Sequence, residues 1–182
     1  SNKYTTDDGK FYIRSVDITN RLLIDGKSIL KTPNNFSEKF EVQEGDILTS
    51  RVGSIGTVGY VTEEFIGSII SDNTLRIRIK PNVTNLLPLY CAFYLSIVGL
   101  NFMKRLSRGS VQQRLNQTTL KSINIPVIDA SIQINIDKLL KASFASVSIS
   151  KKNLENAKRA VEIFIEQDEN EALKYLSCQQ IK

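Results

Sequence analysis

From Lys104 to Asn116 the chain sets Lys104, Arg105, Arg108, Ser110, Gln112, Gln113, Arg114 and Asn116 in one short segment. These side-chain types suit nucleic acid. Arg presents paired donors that match guanine, and Asn or Gln matches adenine. Lys, Ser and backbone amides suit phosphates. Gly109 would let backbone amides approach a phosphate closely. The plain alternative is a helix cap followed by a polar loop. Arg51 and Ser54 flank a second candidate, the glycine loop with Gly53, Gly56 and Gly59; here contact with the DNA backbone competes with a buried structural arginine. Lys31 stands in a third, polar loop with Lys27, Ser28, Thr32, Asn34 and Asn35. That loop could enter a groove or be an ordinary surface loop.

Charge distribution points the same way. The formal net charge is +5, and no acidic residue falls between Asp72 and Asp129. The same stretch holds Arg76, Arg78, Lys80, Lys104, Arg105, Arg108, Arg114 and Lys121. A one-sign segment favours a polyanion, unless acids from elsewhere in the fold neutralise it.

Several chemistries are excluded by residue type. The chain has no histidine, so imidazole acid-base catalysis, Ser-His-Asp triads and the usual zinc sites are out. Two cysteines, Cys91 and Cys178, make no disulfide framework and read as free thiols of a reducing cytoplasm. The glycine spacing G-x-x-G-x-x-G fails the dinucleotide fingerprint, and no phosphate-loop motif occurs. The glycines read instead as a tight connection between strands. No apolar run is long enough for a membrane span, and no signal segment opens the chain.

Elements must position these groups. Residues 11–18 alternate and predict a strand. Residues 25–37 predict a loop. Short β segments follow around Ile47-Leu48, Val58 to Val61, Gly67 to Ile70 and Leu75 to Ile79, the last with both arginines on one face. Leu86 to Leu106 reads as an amphipathic helix, and Leu120 to Val127 as a helical turn and then a strand ending at Pro126. After Asp129 glycine and proline vanish, and Ser131 to about Gln167 is one long helical pattern. Leu140, Val147, Leu154 and Val161 stand seven apart, Phe144 and Ile165 fill two intervening positions, and Lys151 and Lys158 occupy others. That is a coiled-coil seam with polar defects. The predicted class is α/β (α+β): a globular domain with a mixed, irregular sheet, then a long helix able to form a coiled coil. The alternative for the helix is packing on its own domain, although roughly 35 residues would span about 50 Å.

Four segments resemble the specificity subunits of Type I restriction-modification systems: Phe11 to Ile18, Glu44 to Gly56, Gly109 to Asn116 and Leu120 to Pro126, in the family's order. The chain departs from the family in lacking an earlier segment and in holding one recognition domain rather than two. It also has Ile132, not an acid, before Gln133. The first two departures suggest a half-subunit or a piece of a longer protein. The resemblance implies a DNA target-recognition domain over 1–128 and a helical spacer and dimerisation arm over 129–182. It implies no catalytic residue and no cofactor in this chain. S-adenosylmethionine would belong to a partner methyltransferase. The implied partners are double-stranded DNA, methyltransferase and restriction subunits, and a second recognition domain met through the helix. An antiparallel homodimer is favoured, because parallel pairing would set Lys151 and Lys158 against their own copies. The runner-up function is a coiled-coil protein-interaction module with an incidental basic face.

Overall fold

The computed structural model describes residues 10–19, 22–25, 29–30, 38–80, 85–106 and 114–180. It divides into two compact units, Ser1–Asp137 and Lys138–Lys182.

The first unit is built on two three-stranded sheets. In one, β1 (Lys10–Ile13) lies between β2 (Ile29–Leu30), which is antiparallel to it, and β5 (Ile69–Ile70), which is parallel. In the other, β3 (Ile47–Ser50) lies between β4 (Val58–Tyr60) and β6 (Thr74–Ile77), both antiparallel. Ile13 of β1, Leu48 of β3 and Ile70 of β5 meet in one core with Ile18, Ile24, Val42, Val61 and Phe65. Phe11 closes that core edge-on against Phe65, ring centroids 5.8 Å apart.

The short β segments expected after Phe40 form as β3 to β6, with β5 starting at Ile69 rather than Gly67 and β6 ending at Ile77 rather than Ile79. The first strand is shorter than alternation predicts. It stops at Ile13, because Arg14 and Asp17 close a local ring. The Arg14 backbone N–H donates to Asp17 Oδ2 at 2.8 Å, and the guanidinium grips the same carboxylate at 2.9 and 3.1 Å. Ser15–Asp17 consequently winds into a 3-10 turn. This local ring satisfies the backbone without a partner strand.

Helix α1 (Pro88–Tyr94) passes through a π-helical turn at Leu95–Gly99 into α2 (Leu100–Leu106). It starts two residues later than the apolar pattern suggests, because Pro88 suits the first turn, where its missing N–H has no partner to lose. Leu89, Leu95 and Met103 are buried beneath it. Helix α3 (Gln117–Lys121) follows. The strand expected to end at Pro126 does not form; residues 123–129 are irregular, and the Pro126 carbonyl accepts from the Tyr90 hydroxyl at 2.9 Å.

Helix α4 (Ala130–Glu166) opens on Asp129, whose carboxylate accepts from the Ser131 backbone N–H at 2.8 Å and its hydroxyl at 2.6 Å. Its first turns belong to the first unit, later than the change of texture at Asp129 suggests. Gln133 is the reason. It is only 2% exposed. Its Oε1 accepts from the Leu87 N–H at 2.9 Å, and its Nε2 donates to the carbonyls of Asn85 at 3.2 Å and Ile128 at 2.9 Å.

In the second unit α4 breaks at Gln167-Asp168, and α5 (Glu169–Gln180) runs back along it. Ala160 and Ile163 of α4 and Ala172 of α5 are buried, and Tyr175 donates to Asn156 Oδ1 at 3.3 Å. The arm is therefore two helices rather than one continuous rod.

Candidate nucleic-acid interface

The site begins with the β3–β4 connection. Gly53 and Gly56 adopt φ of +75° and +86°, conformations that side-chain-bearing residues rarely take. Gly56 has a second constraint: a Cβ there would sit 2.7 Å from Leu100 Cδ1. Glycine therefore lets the loop lie directly on α2. The Ser54 carbonyl accepts from the Thr57 hydroxyl at 2.9 Å, which holds the turn.

Loop and helix enclose an open cleft of about 670 Å³. Ser54, Ile55 and Thr57 form one wall; Ser96, Leu100, Lys104 and Arg105 form the other. Among the described residues lining it there is no carboxylate. The cleft thus has two cationic side chains on a rigid helix facing a loop with small side chains and close-lying backbone.

The late segment joins the same loop. Val52 and Arg114 form an antiparallel bridge, and the Leu115 N–H donates to the Arg51 carbonyl at 2.9 Å. Leu115 is fully buried and anchors the pairing, leaving Arg114 exposed. Ser54, the adjacent pair Lys104 and Arg105, and Arg114 therefore come to the same loop, Arg114 through its backbone bridge to Val52. Asn116 is exposed, but its Oδ1 accepts from the Thr119 N–H at 2.7 Å and caps α3. Its acceptor is engaged by the protein. Arg51 opens onto a different pocket, beside Lys39, Arg76 and Gln117. Lys31, Arg108, Ser110, Gln112 and Gln113 lie outside the described residues.

The acid-free stretch is less one-sided than it reads. Arg76 of β6 and Arg78, just past its end, both turn to Asp46, an acid outside the stretch. Arg78 grips it through two bonds of 2.6 Å, and Arg76 Nε lies 3.9 Å away. The hydrogen bond to Asp46 holds the Arg78 guanidinium above its usual pKa. Asp46 is 1% exposed; a carboxylate so buried requires partners of this kind. Sequence spacing carries no signal for this pairing, which spans 32 positions.

A family model for the Type I restriction modification DNA specificity domain matches residues 1–159. The chain belongs to that family. A specificity domain selects the DNA target and performs no catalytic step. The fold of this specificity domain is similar to that of the HsdS subunit from Thermoanaerobacter tengcongensis, with a TM-score of 0.56 at 14% identity, over 90% of this chain and 42% of that one. The Type-I restriction-modification system S subunit from M. genitalium gives 0.49 at 17% identity, over 90% and 37%. The specificity domain thus spans less than half the length of those subunits. No curated protein matches it in sequence.

Its helical arm keeps one apolar face bare. Leu154, Val161 and Ile165 are 57%, 58% and 75% exposed, and Leu140, Phe144 and Val147 are partly exposed. Helix α5 covers the other side. Asn156 and Ile163 each lie two positions beyond a seam residue, about 200° round the helix. Among the described residues there is no cluster able to hold a metal and no helix long and apolar enough to cross a membrane.

Proposed function

We propose that this chain reads one half of a bipartite DNA target and that its helical arm pairs with a second recognition domain. The observation that carries the reading is the convergence of Ser54, Lys104, Arg105 and Arg114 on one glycine loop, in a member of a DNA specificity family. Lys104 and Arg105 supply charge toward phosphates, and Arg114 is the described candidate for a base edge. Arg108, Ser110, Gln112 and Gln113 belong to the same reading segment. The bare seam of α4 is a stripe that calls for a partner. We favour a second copy, antiparallel, which would make the target a gapped palindrome by two-fold symmetry. Methyltransferase and restriction subunits would be held on this frame in the cytoplasm, with S-adenosylmethionine bound by the methyltransferase. The two cysteines form no disulfide, in keeping with a reducing compartment.

Selection from a random duplex library tests the function. The full chain, alone and with a Type I methyltransferase subunit, should enrich a short fixed motif. Retention without any enriched motif would contradict sequence reading and favour a protein-interaction module whose basic face is incidental.

A further inference from the structure

Strand β6 has β3 on one side and no described strand on the other. The Arg51 N–H donates to the Asn73 carbonyl at 2.8 Å. That bond fixes the phase of the antiparallel ladder, in which bonded and unbonded pairs alternate. Leu75 and Ile77 therefore bond toward β3, while the Arg76 N–H and C=O point outward. Among the described residues no backbone group bonds to them. A cavity of about 440 Å³ lies along this free edge, lined by all four residues from Leu75 to Arg78. One face of a strand would contribute only every second residue. The other wall is Leu120 of α3 with Ile123 and Ile125, alternate residues of the irregular stretch. Asn124 and Ile125 likewise make no backbone hydrogen bond to a described residue. Two unpaired backbones thus flank an apolar cavity, in which Leu95 is buried. No carboxylate is among the described lining residues. The charge of Arg78 is already met by Asp46. Lys121 is exposed, and it pairs with no described carboxylate.

We propose that this cavity takes an extended segment of a partner chain as an added strand on β6. The segment is apolar at alternate positions and carries a carboxylate at its Lys121 end. Main-chain bonds to the Arg76 N–H and C=O supply affinity, and the apolar walls select side chains, as in strand addition at an open sheet edge. An open edge beside apolar side chains is otherwise an aggregation liability. The apolar lining suits a polypeptide rather than a nucleic acid, and the unpaired Lys121 favours an acidic one. The inference does not depend on the DNA reading.

The experiment uses the full chain and a displayed library of random peptides about eight residues long, within the usual length of a strand. Enriched peptides should alternate apolar residues and carry an acidic end. One of them, synthesised, should slow hydrogen exchange at the Arg76 amide about tenfold or more. It should leave the Leu75 and Ile77 amides, already bonded to β3, unchanged. Ile125→Asp should abolish its binding. Lys121→Glu, at an exposed position, should switch the selected end from acidic to basic, a change that misfolding cannot produce. A free chain whose Arg76 amide exchanges as slowly as that of Ile77 has no open edge, and overturns the proposal. A selection that enriches no peptide, or peptides that bind without protecting Arg76, overturns it too. Protection that rises with the concentration of the chain alone would assign the edge to a second copy, against a partner chain.

Discussion

Asp46 holds the recognition unit together at its most buried charge. Its carboxylate accepts from the Gln43 N–H at 2.9 Å as well as from Arg78, so three hydrogen bonds end on one group. Hydrogen bonds to a charged group contribute about 1.5–3 kcal/mol each at most, and the half-exposed Arg78 can recover some from water. Asp46→Ala should therefore destabilise the unit by about 2–3 kcal/mol, measured by urea unfolding, while Arg78→Met costs less. Equal stability of Asp46→Ala and wild type would show that the clamp is not structural. The cysteines give a second contrast. Burial pushes the Cys91 thiol up to about 11, and Cys178 is exposed. A thiol reagent should label one cysteine quickly in the native protein and the second only on unfolding. Rapid labelling of both would contradict the packing beneath α1.

At the scale of elements, much was legible. Strands β3 to β6 show in the short β segment around Ile47-Leu48, in the alternation of Leu75 to Ile79, of which the strand keeps only the part up to Ile77, and in the glycines between them. The long α4 shows in its seven-residue spacing. What escaped has local or long-range causes. The β1 strand ends early because Arg14 and Asp17 bond to each other, and alternation alone cannot register such a ring. The return of α5 escaped because the strong seam pattern masks the weaker face of Ala160, Ile163 and Ala172. Convergence of Ser54, Lys104 and Arg114 escaped because pairing of Val52 with Arg114 is non-local. Two predictions belong here. The bonds from Ser131 hold the Asp129 carboxyl below its usual pKa. A lowered folded pKa means that the cap's contribution is full above the usual carboxylate range and is lost as pH falls through the folded value. The helicity difference between wild type and Asp129→Ala should therefore persist at about pH 7 and close at about pH 2. A difference unchanged in acid would mean that the cap does not act through its charge. For the seam, light scattering should find a dimer that Leu154→Glu splits, because burying a charge in a paired apolar stripe is costly. A monomer at tens of micromolar would point to a different chain as the partner.

For the molecule as a whole, DNA recognition makes a claim about charge and its place. Net charge alone would give weak, diffuse attraction; the structure concentrates cations at the loop of Gly53–Thr57 and withdraws Arg76 and Arg78 into contact with Asp46. The most direct test is duplex binding over a range of salt by the wild type and by Arg105→Ala with Arg114→Ala, both exposed positions whose loss should leave folding intact. Affinity of the wild type should fall steeply with salt, and the double variant should bind more weakly with a slope lower by about 1 for each phosphate contact removed. If Arg114 reads a base, a further loss of about 1–3 kcal/mol should appear on the selected site alone. Wild-type binding that is flat with salt, or a folded double variant that binds as tightly as the wild type, would contradict the account.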